Sequence, residues 1–363
     1  MSVADYVSLS GVTRRWDGRG GVEDVSLRVP AGTFTSILGP SGCGKSTLLR
    51  LISGLERPQA GTVRIAGRDV THEPASARGL AMVFQSYALF PHLSVRENIL
   101  FGLRVRRSAA AEREARYAEA VAMLGLEGLG GRRPAALSGG QRQRVALARA
   151  VVSGHRLCLM DEPLSNLDAK LRQSVRRDIR ALQRRLGLTV IYVTHDQTEA
   201  MSLSDQVVLM RAGRVEQAGS PVALYERPAT AFAAEFVGDP PMAMIDGAAL
   251  GEPGVTVGVR PEHLAAAPAG AGDLAGRIVG VEYLGSRTLL AIGHPAARGL
   301  VVSLPGRVAH APGETLGLVA PPEHRLRFDA RSGRALGGAG PDGGGRTGPG
   351  SAPDLARRPG PSP

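Results

Sequence analysis

Gly39-Pro40-Ser41-Gly42-Cys43-Gly44-Lys45-Ser46-Thr47 is the stretch that decides the fold. It follows an apolar, β-prone run, Thr33–Leu38, and opens a helical pattern over 45–53. In a strand that turns through glycines into a helix, backbone N–H groups can curl around an anion. Glycine tolerates the turn, and the helix N-terminus adds a favourable dipole. Residues Gly39 to Thr47 are therefore expected to cradle the phosphates of a nucleoside triphosphate. Lys45 would reach the β- and γ-phosphates, and the Ser46 hydroxyl would sit on Mg²⁺. Lysine is scarce, with only Lys45 and Lys170 in the chain, so composition does not produce the match. Cys43, beside Lys45 and a helix N-terminus, is expected to have a lowered thiol pKa.

Outward from this loop, residues 1 to about 235 alternate short apolar runs with helical patterns, as in an α/β domain with a mainly parallel sheet. Further strands are expected at Leu80–Phe84, Leu157–Met160, Thr189–Val193 and Gln206–Met210, and helices at about 109–124, 139–152, 169–186 and 196–203. The Leu157 and Thr189 runs are nearly all apolar, which suits strands covered on both faces. The piece from 87 to 137 reads as a helical insertion.

Two further motifs carry chemistry. The strand Leu157–Met160 ends in Asp161-Glu162, and strand ends are where α/β folds place ligands. Asp161 would hold Mg²⁺, and Glu162 would orient and deprotonate an attacking water. Leu137-Ser138-Gly139-Gly140-Gln141 precedes a helix whose Val145, Ala148 and Val152 share one face. Ser138 can serve as a simple N-cap there, or the turn can present N–H groups and a hydroxyl to a γ-phosphate.

After about 236 the texture changes to short β-prone segments separated by Gly and Pro, at Thr256–Arg260, Gly276–Gly285, Thr288–Ile292 and Leu300–Leu304, a small all-β barrel pattern. From Gly337 to Pro363, 15 of 27 residues are Gly or Pro, so this piece is expected to be a disordered tail. At 363 residues the chain is too long for one ordinary core, and two domains plus a tail are expected. Forty-two of its 44 basic residues are arginine and lie scattered, so the net charge of +11 reads as a generally basic surface, not a nucleic-acid site. The opening MSVADYVSLSGV has neither a basic nor an apolar leader region, and no run approaches 18 apolar residues, so neither a signal nor a membrane span is expected. Cys43 and Cys158 form no metal-like spacing, which excludes a disulfide scaffold and fits a reducing compartment.

In this order the motifs resemble the ATP-binding subunit of an ABC transporter, over roughly residues 3–336. The resemblance implies a P-loop NTPase cassette over 1–235 with a helical subdomain at about 87–152, then a small OB-like regulatory domain over 236–336. It makes Gln85 the glutamine that senses Mg²⁺ and the water, and His195 the switch histidine at the γ-phosphate. Ser165-Asn166-Leu167-Asp168 resembles the D-loop. Trp16 stands where the family stacks an aromatic on adenine. Ser138, Gly139, Gly140 and Gln141 become the second phosphate site, contributed in trans.

Phe90–Ile99 resembles the importer surface that receives a coupling helix, and Val257–Leu264 and Phe328–Leu336 resemble the regulatory domain of solute importers. Phe236–Met242 resembles the link of carbohydrate and glycerol-3-phosphate importers, although Ala243 stands where that group carries Asn. Trp16-Asp17-Gly18 resembles the glycerol-3-phosphate type in particular. The implied mechanism is a head-to-tail dimer with ATP and Mg²⁺ between Lys45's loop of one copy and Ser138–Gln141 of the other. Implied partners are two transmembrane permease subunits and, through them, an extracytoplasmic solute-binding protein; the implied location is peripheral, on the cytoplasmic face of the cell membrane. Polyamine or ferric-iron import is the alternative within the group. A soluble ABC ATPase acting on nucleic acid or ribosomes is a rival of another class, disfavoured by a single cassette without a heptad run.

Overall fold

The structure is a computed structural model that describes residues 5–16 and 19–337. Asp17, Gly18 and nearly all of the expected tail lie outside the described residues.

The chain opens with two twelve-residue strands, β1 (Asp5–Trp16) and β2 (Arg19–Pro30), then β3 (Phe34–Leu38), α1 (Lys45–Ser53), β4 (Ala60–Ile65), β5 (Arg68–Asp69) and β6 (Leu80–Val83). Three helices follow, α2 (Val95–Val105), α3 (Ala110–Leu124) and α4 (Gly139–Val152). The sheet is completed through β7 (Leu157–Asp161), α5 (Ala169–Leu186), β8 (Thr189–Val193), α6 (Gln197–Leu203), β9 (Gln206–Arg211) and β10 (Arg214–Gly219). One six-stranded sheet has the order β10-β9-β3-β8-β7-β6, parallel except for β10, and a four-stranded antiparallel sheet has the order β2-β1-β4-β5.

The parallel strands are buried on both faces, and their residues alternate between two cores. Leu157, Leu159, Ile191 and Val193 pack with α1 and the antiparallel sheet, whereas Cys158, Met160, Val190 and Tyr192 pack with α2, α4 and α5. Each such aliphatic burial contributes about 1.5–3 kcal/mol, enough to forbid a register slip. The long β1–β2 pair was absent from the strands expected above. Its register shifts several times, between Leu9 and Val12 and between Val12 and Arg14 among others, so bulges break the period-two signal.

Helix α1, which carries Lys45 and Ser46, is anchored at its far end by the buried Arg78. The Nη1 of Arg78 donates to the carbonyls of Leu51 (2.7 Å) and Ile52 (3.0 Å), and its Nε donates to that of Glu73 (3.0 Å). A cation there satisfies the end carbonyls and complements the helix dipole.

Two short helices, α7 (Pro221–Glu226) and α8 (Ala231–Phe236), lead into ten further strands. They are β11 (Ala243–Asp246), β12 (Val255–Val259), β13 (Ala265–Ala267), β14 (Leu274–Tyr283), β15 (Arg287–Gly293), β16 (Ala297–Arg298), β17 (Val301–Pro305), β18 (Thr315–Val319), β19 (Leu326–Asp329) and β20 (Ala335–Leu336). They form two five-stranded antiparallel sheets, β16-β11-β12-β19-β20 and β13-β18-β14-β15-β17, around one shared core. Arg260, buried at the end of β12, joins this unit to the first. It donates to the carbonyls of Ala234 (3.1 Å), Val237 and Tyr225 (2.7 Å) and lies over the Tyr225 ring. Gln197 of α6 also meets the link, its Oε1 accepting from Gly238 N at 2.8 Å.

Candidate functional site

The loop Gly39–Thr47 joins β3 to α1, and its glycines are there for steric reasons. A Cβ on Gly39 would meet the Met210 carbonyl oxygen at 2.4 Å, and one on Gly44, at φ 103°, would meet that of Gly21 at 2.6 Å. Only glycine lets the chain pass so close to its neighbours. Lys45 is buried and folds back over the loop, its Nζ donating to the carbonyls of Gly39 (2.8 Å) and Pro40 (3.0 Å). Ser46 Oγ donates to Asp161 Oδ1 at 3.2 Å, so hydroxyl and carboxylate stand together at the ends of α1 and β7. Burial pushes the Asp161 carboxyl above its ordinary range, while the Ser46 hydrogen bond opposes that. An oxygen set of this kind suits a hard divalent cation such as Mg²⁺.

Cys43 corrects one expectation. It is 4% exposed, and burial raises its thiol pKa more than Lys45 and the backbone lower it. The helix N-terminus is there, but desolvation of the thiolate wins. Cys158, wholly inside β7, is pushed up to about 12 by burial. Both thiols are free.

Glu162 follows β7 with φ 43°, a left-handed conformation uncommon for a residue with a side chain. Its N–H donates to the Val193 carbonyl at 3.0 Å, and its Oε2 lies 3.1 Å from His195 Nδ1. Ser165 Oγ donates to the Glu162 carbonyl at 3.0 Å and accepts from Gln85 Nε2 at 3.2 Å, while Asn166 Nδ2 donates to the Gln85 carbonyl at 3.1 Å. Gln85, Ser165, Glu162 and His195 thus form one chain of contacts at the ends of β6, β7 and β8.

Ser138–Gln141 forms a reciprocal cap on α4. Gln141 N donates to Ser138 Oγ at 3.3 Å, and Ser138 N donates to Gln141 Oε1 at 3.0 Å. Ser138 is exposed. None of its hydrogen bonds within this chain reaches the Lys45 loop.

Trp16 ends β1, is 39% exposed, and has the Arg14 guanidinium 4.2 Å from its ring centroid. Between β2 and the phosphate loop lies a cleft of about 270 Å³ lined by Arg15, Gly21, Val22, Glu23, Gly42 and Gly213. Arg15 beside Glu23 holds that carboxyl below its ordinary range. On the Phe90–Ile99 surface, buried Asn98 fixes the loop. It accepts from Phe90 N at 2.8 Å and donates to the carbonyls of Phe90, Leu93 and Ser94, leaving the Phe90 ring in tilted contact with that of the part-exposed Phe101, centroids 4.4 Å apart.

The sequence reading missed Glu199. Buried under the His195 loop, it accepts from Tyr192 Oη and Thr194 Oγ1, each at 2.7 Å, and burial raises its carboxyl pKa. Arg172 completes the set, donating to Asp196 Oδ2 at 3.4 Å and to the Leu167 carbonyl at 3.1 Å. An acid three residues after Asp196 reads in sequence as an exposed first-turn residue, so nothing there flags it.

The fold and this site define a phosphate-loop ATPase with a helical insertion and a carboxyl-terminal β domain. Two family models match, described as ABC transporter over residues 22–165 and TOBE domain over 257–328. The sn-glycerol-3-phosphate import ATP-binding protein UgpC of Salmonella choleraesuis is 44% identical, over 91% of this chain and 99% of that protein. UgpC of Chromohalobacter salexigens is 45% identical over 90% and 95%. Among solved structures, the dimeric bacterial ABC transporter cassette MJ0796 matches with a TM-score of 0.54 and 32% identity, over 59% of this chain and 98% of that one. cbiO1 of Clostridium perfringens matches at 0.58 and 27%, over 62% and 92%. The chain belongs to the ABC transporter family: it is an ABC ATPase carrying a TOBE domain.

Proposed function

We propose that this ATPase energises binding-protein-dependent import of sn-glycerol 3-phosphate or a chemically close solute. The observation that carries the hydrolytic part is the split of the acid pair: Asp161 faces Ser46, while Glu162 faces His195. The Gly39–Thr47 backbone and Lys45 bind the phosphates. Glu162 takes a proton from the attacking water, and His195 orients Glu162 and contacts the γ-phosphate. Ser46, Asp161 and Gln85 would hold Mg²⁺, which would neutralise charge on the phosphate oxygens. Ser138–Gln141 acts in trans on the nucleotide of a second copy, and Trp16 stacks on adenine.

Two transmembrane permeases receive the movement at the Phe90–Ile99 surface, an external binding protein delivers the solute to them, and the chain sits peripherally on the cytoplasmic face. No helix among the described residues is long and apolar enough to cross a membrane. The solute assignment is supported by similarity to the UgpC proteins along nearly their whole length. Uptake of labelled sn-glycerol 3-phosphate into vesicles bearing the reassembled transporter tests it. ATP-dependent uptake supports the reading; uptake of a polyamine or ferric iron instead overturns the solute. Recovery of the chain with nucleic acid, released only by high salt, overturns import.

A further inference from the structure

Between Gln85 and Phe90 the backbone does something costly. Tyr87 (φ 64°) and Ala88 (φ 46°) are consecutive residues in the left-handed region, and neither is glycine. Such a pair persists only where its surroundings hold it. Asn166 and Asn98 hold the flanking Gln85 and Phe90, and one side chain grips the two strained residues' own carbonyls. Arg149, in the last turn of α4, donates from Nη1 to the Ala88 carbonyl at 2.6 Å and from Nη2 to the Tyr87 carbonyl at 2.9 Å. Among the described residues it forms no ion pair with a carboxylate, and burial lowers its pKa. A half-buried guanidinium without a counter-charge gains most from carbonyls aimed at it in a fork. Arg78 and Arg260 also sit on carbonyls, but those include helix-end carbonyls that need a donor anyway. The carbonyls under Arg149 point that way because the chain is bent into a disfavoured form.

We propose that Arg149 is a positioning residue that clamps the 86–89 turn and thereby ties the helix beginning at Ser138 to Gln85. Gln85 lies at one end of the clamped turn and the Phe90 surface at the other. A shift of α4 therefore pulls on both. The inference rests on the catalytic role proposed for Gln85, and the test keeps the two apart.

The test uses the full chain with MgATP, measuring kcat, KM, melting temperature and amide exchange of residues 86–89. Arg149→Lys keeps the charge but loses the fork. It is expected to speed exchange and lower kcat, each about tenfold, with KM within about twofold. Adding Ala88→Gly, which adopts φ 46° without strain, is expected to bring kcat back to within about threefold of wild type. A merely structural arginine would not be rescued by a change in the turn it touches. Unchanged kcat and exchange in Arg149→Lys, or a loss that Ala88→Gly does not recover, overturns the proposal. Should Arg149→Lys fail to fold, Ala88→Val with Arg149 intact raises the strain instead, and wild-type kcat in that variant overturns it. Gln85→Ala separates the premises: full activity there removes the role of Gln85, while the exchange result still decides whether Arg149 clamps the turn.

Discussion

The two glycine-rich turns of the cassette differ in how they meet their surroundings. Gly39–Thr47 is walled in by backbone: the Met210 and Gly21 carbonyls would touch added Cβ atoms on Gly39 and Gly44, and Lys45 is folded onto the loop. Ser138–Gln141 is an ordinary helix start closed on itself, and added Cβ atoms on Gly139 and Gly140 would meet only the Leu167 and Leu171 side chains. The first turn has its shape fixed within one chain, as the proposed phosphate cradle requires. The second presents an exposed serine whose hydrogen bonds stay within its own cap, and on the proposed reading it acts on the nucleotide of a second copy.

The sharpest way to break this contrast is to disable the first turn's neighbour. Glu162→Gln should lower turnover by about 10²- to 10⁴-fold, the usual share of a general base, while ATP binding is kept and an ATP-loaded dimer accumulates in sizing experiments. Near-wild-type turnover would remove Glu162 from its role. A mixing experiment asks next whether the turns work in trans. Lys45→Ala and Ser138→Arg should each be nearly inactive alone, yet an equimolar mixture should recover roughly a quarter of wild-type turnover, if half of the dimers are mixed and each has one intact site. No recovery would place both turns at a single-chain site.

Trp16→Ala sharpens the comparison from the base side. Loss of one stacked base contributes on the order of 1–3 kcal/mol, so affinity for MgATP should weaken roughly 5- to 150-fold, with Trp16→Phe recovering much of it. Unchanged affinity with a lower melting temperature would make Trp16 a packing residue. The smallest effect concerns Cys43. With its thiol pKa raised by burial, thiolate is scarce at neutral pH and grows only as pH climbs past the ordinary thiol value of about 8.5. Maleimide labelling of Cys43 should therefore be slow at pH 7, rise steeply above the ordinary thiol range, and be blocked by MgATP. Fast labelling at pH 7 would restore the electropositive reading.

What was legible in the sequence follows a physical division. Helices α1, α4 and α5 have the expected bounds because their ends are written locally: Ser138 and Asp168 cap N-termini, and Gly54 and Gly187 take left-handed C-terminal positions. The phosphate loop and the strand-end acids were readable because their chemistry needs contiguous residues. Strands β1 and β2 were not, since bulges scramble their alternation. The Cys43 thiol was misjudged because burial is set by β2 and β9–β10, far away in sequence. Glu199, Arg172 and Arg149 act through partners 5 to 62 positions distant, and no spacing rule connects them.

The alternation of β7 between two cores has one more consequence. Leu157 and Leu159 face α1, and Asp161 continues that series to meet Ser46; Glu162, one residue on, turns away toward His195. The pleat therefore aims Asp161 at Ser46, and the left-handed backbone at Glu162 swings the second acid to His195. Deleting a single residue from the middle of β7 would leave both acids in the sequence, yet carry Glu162 to the position that faces Ser46 and Asp161 to the one Met160 holds inside the other core. The result would be an enzyme with a complete inventory and no working site, and a motif search would not tell the two apart.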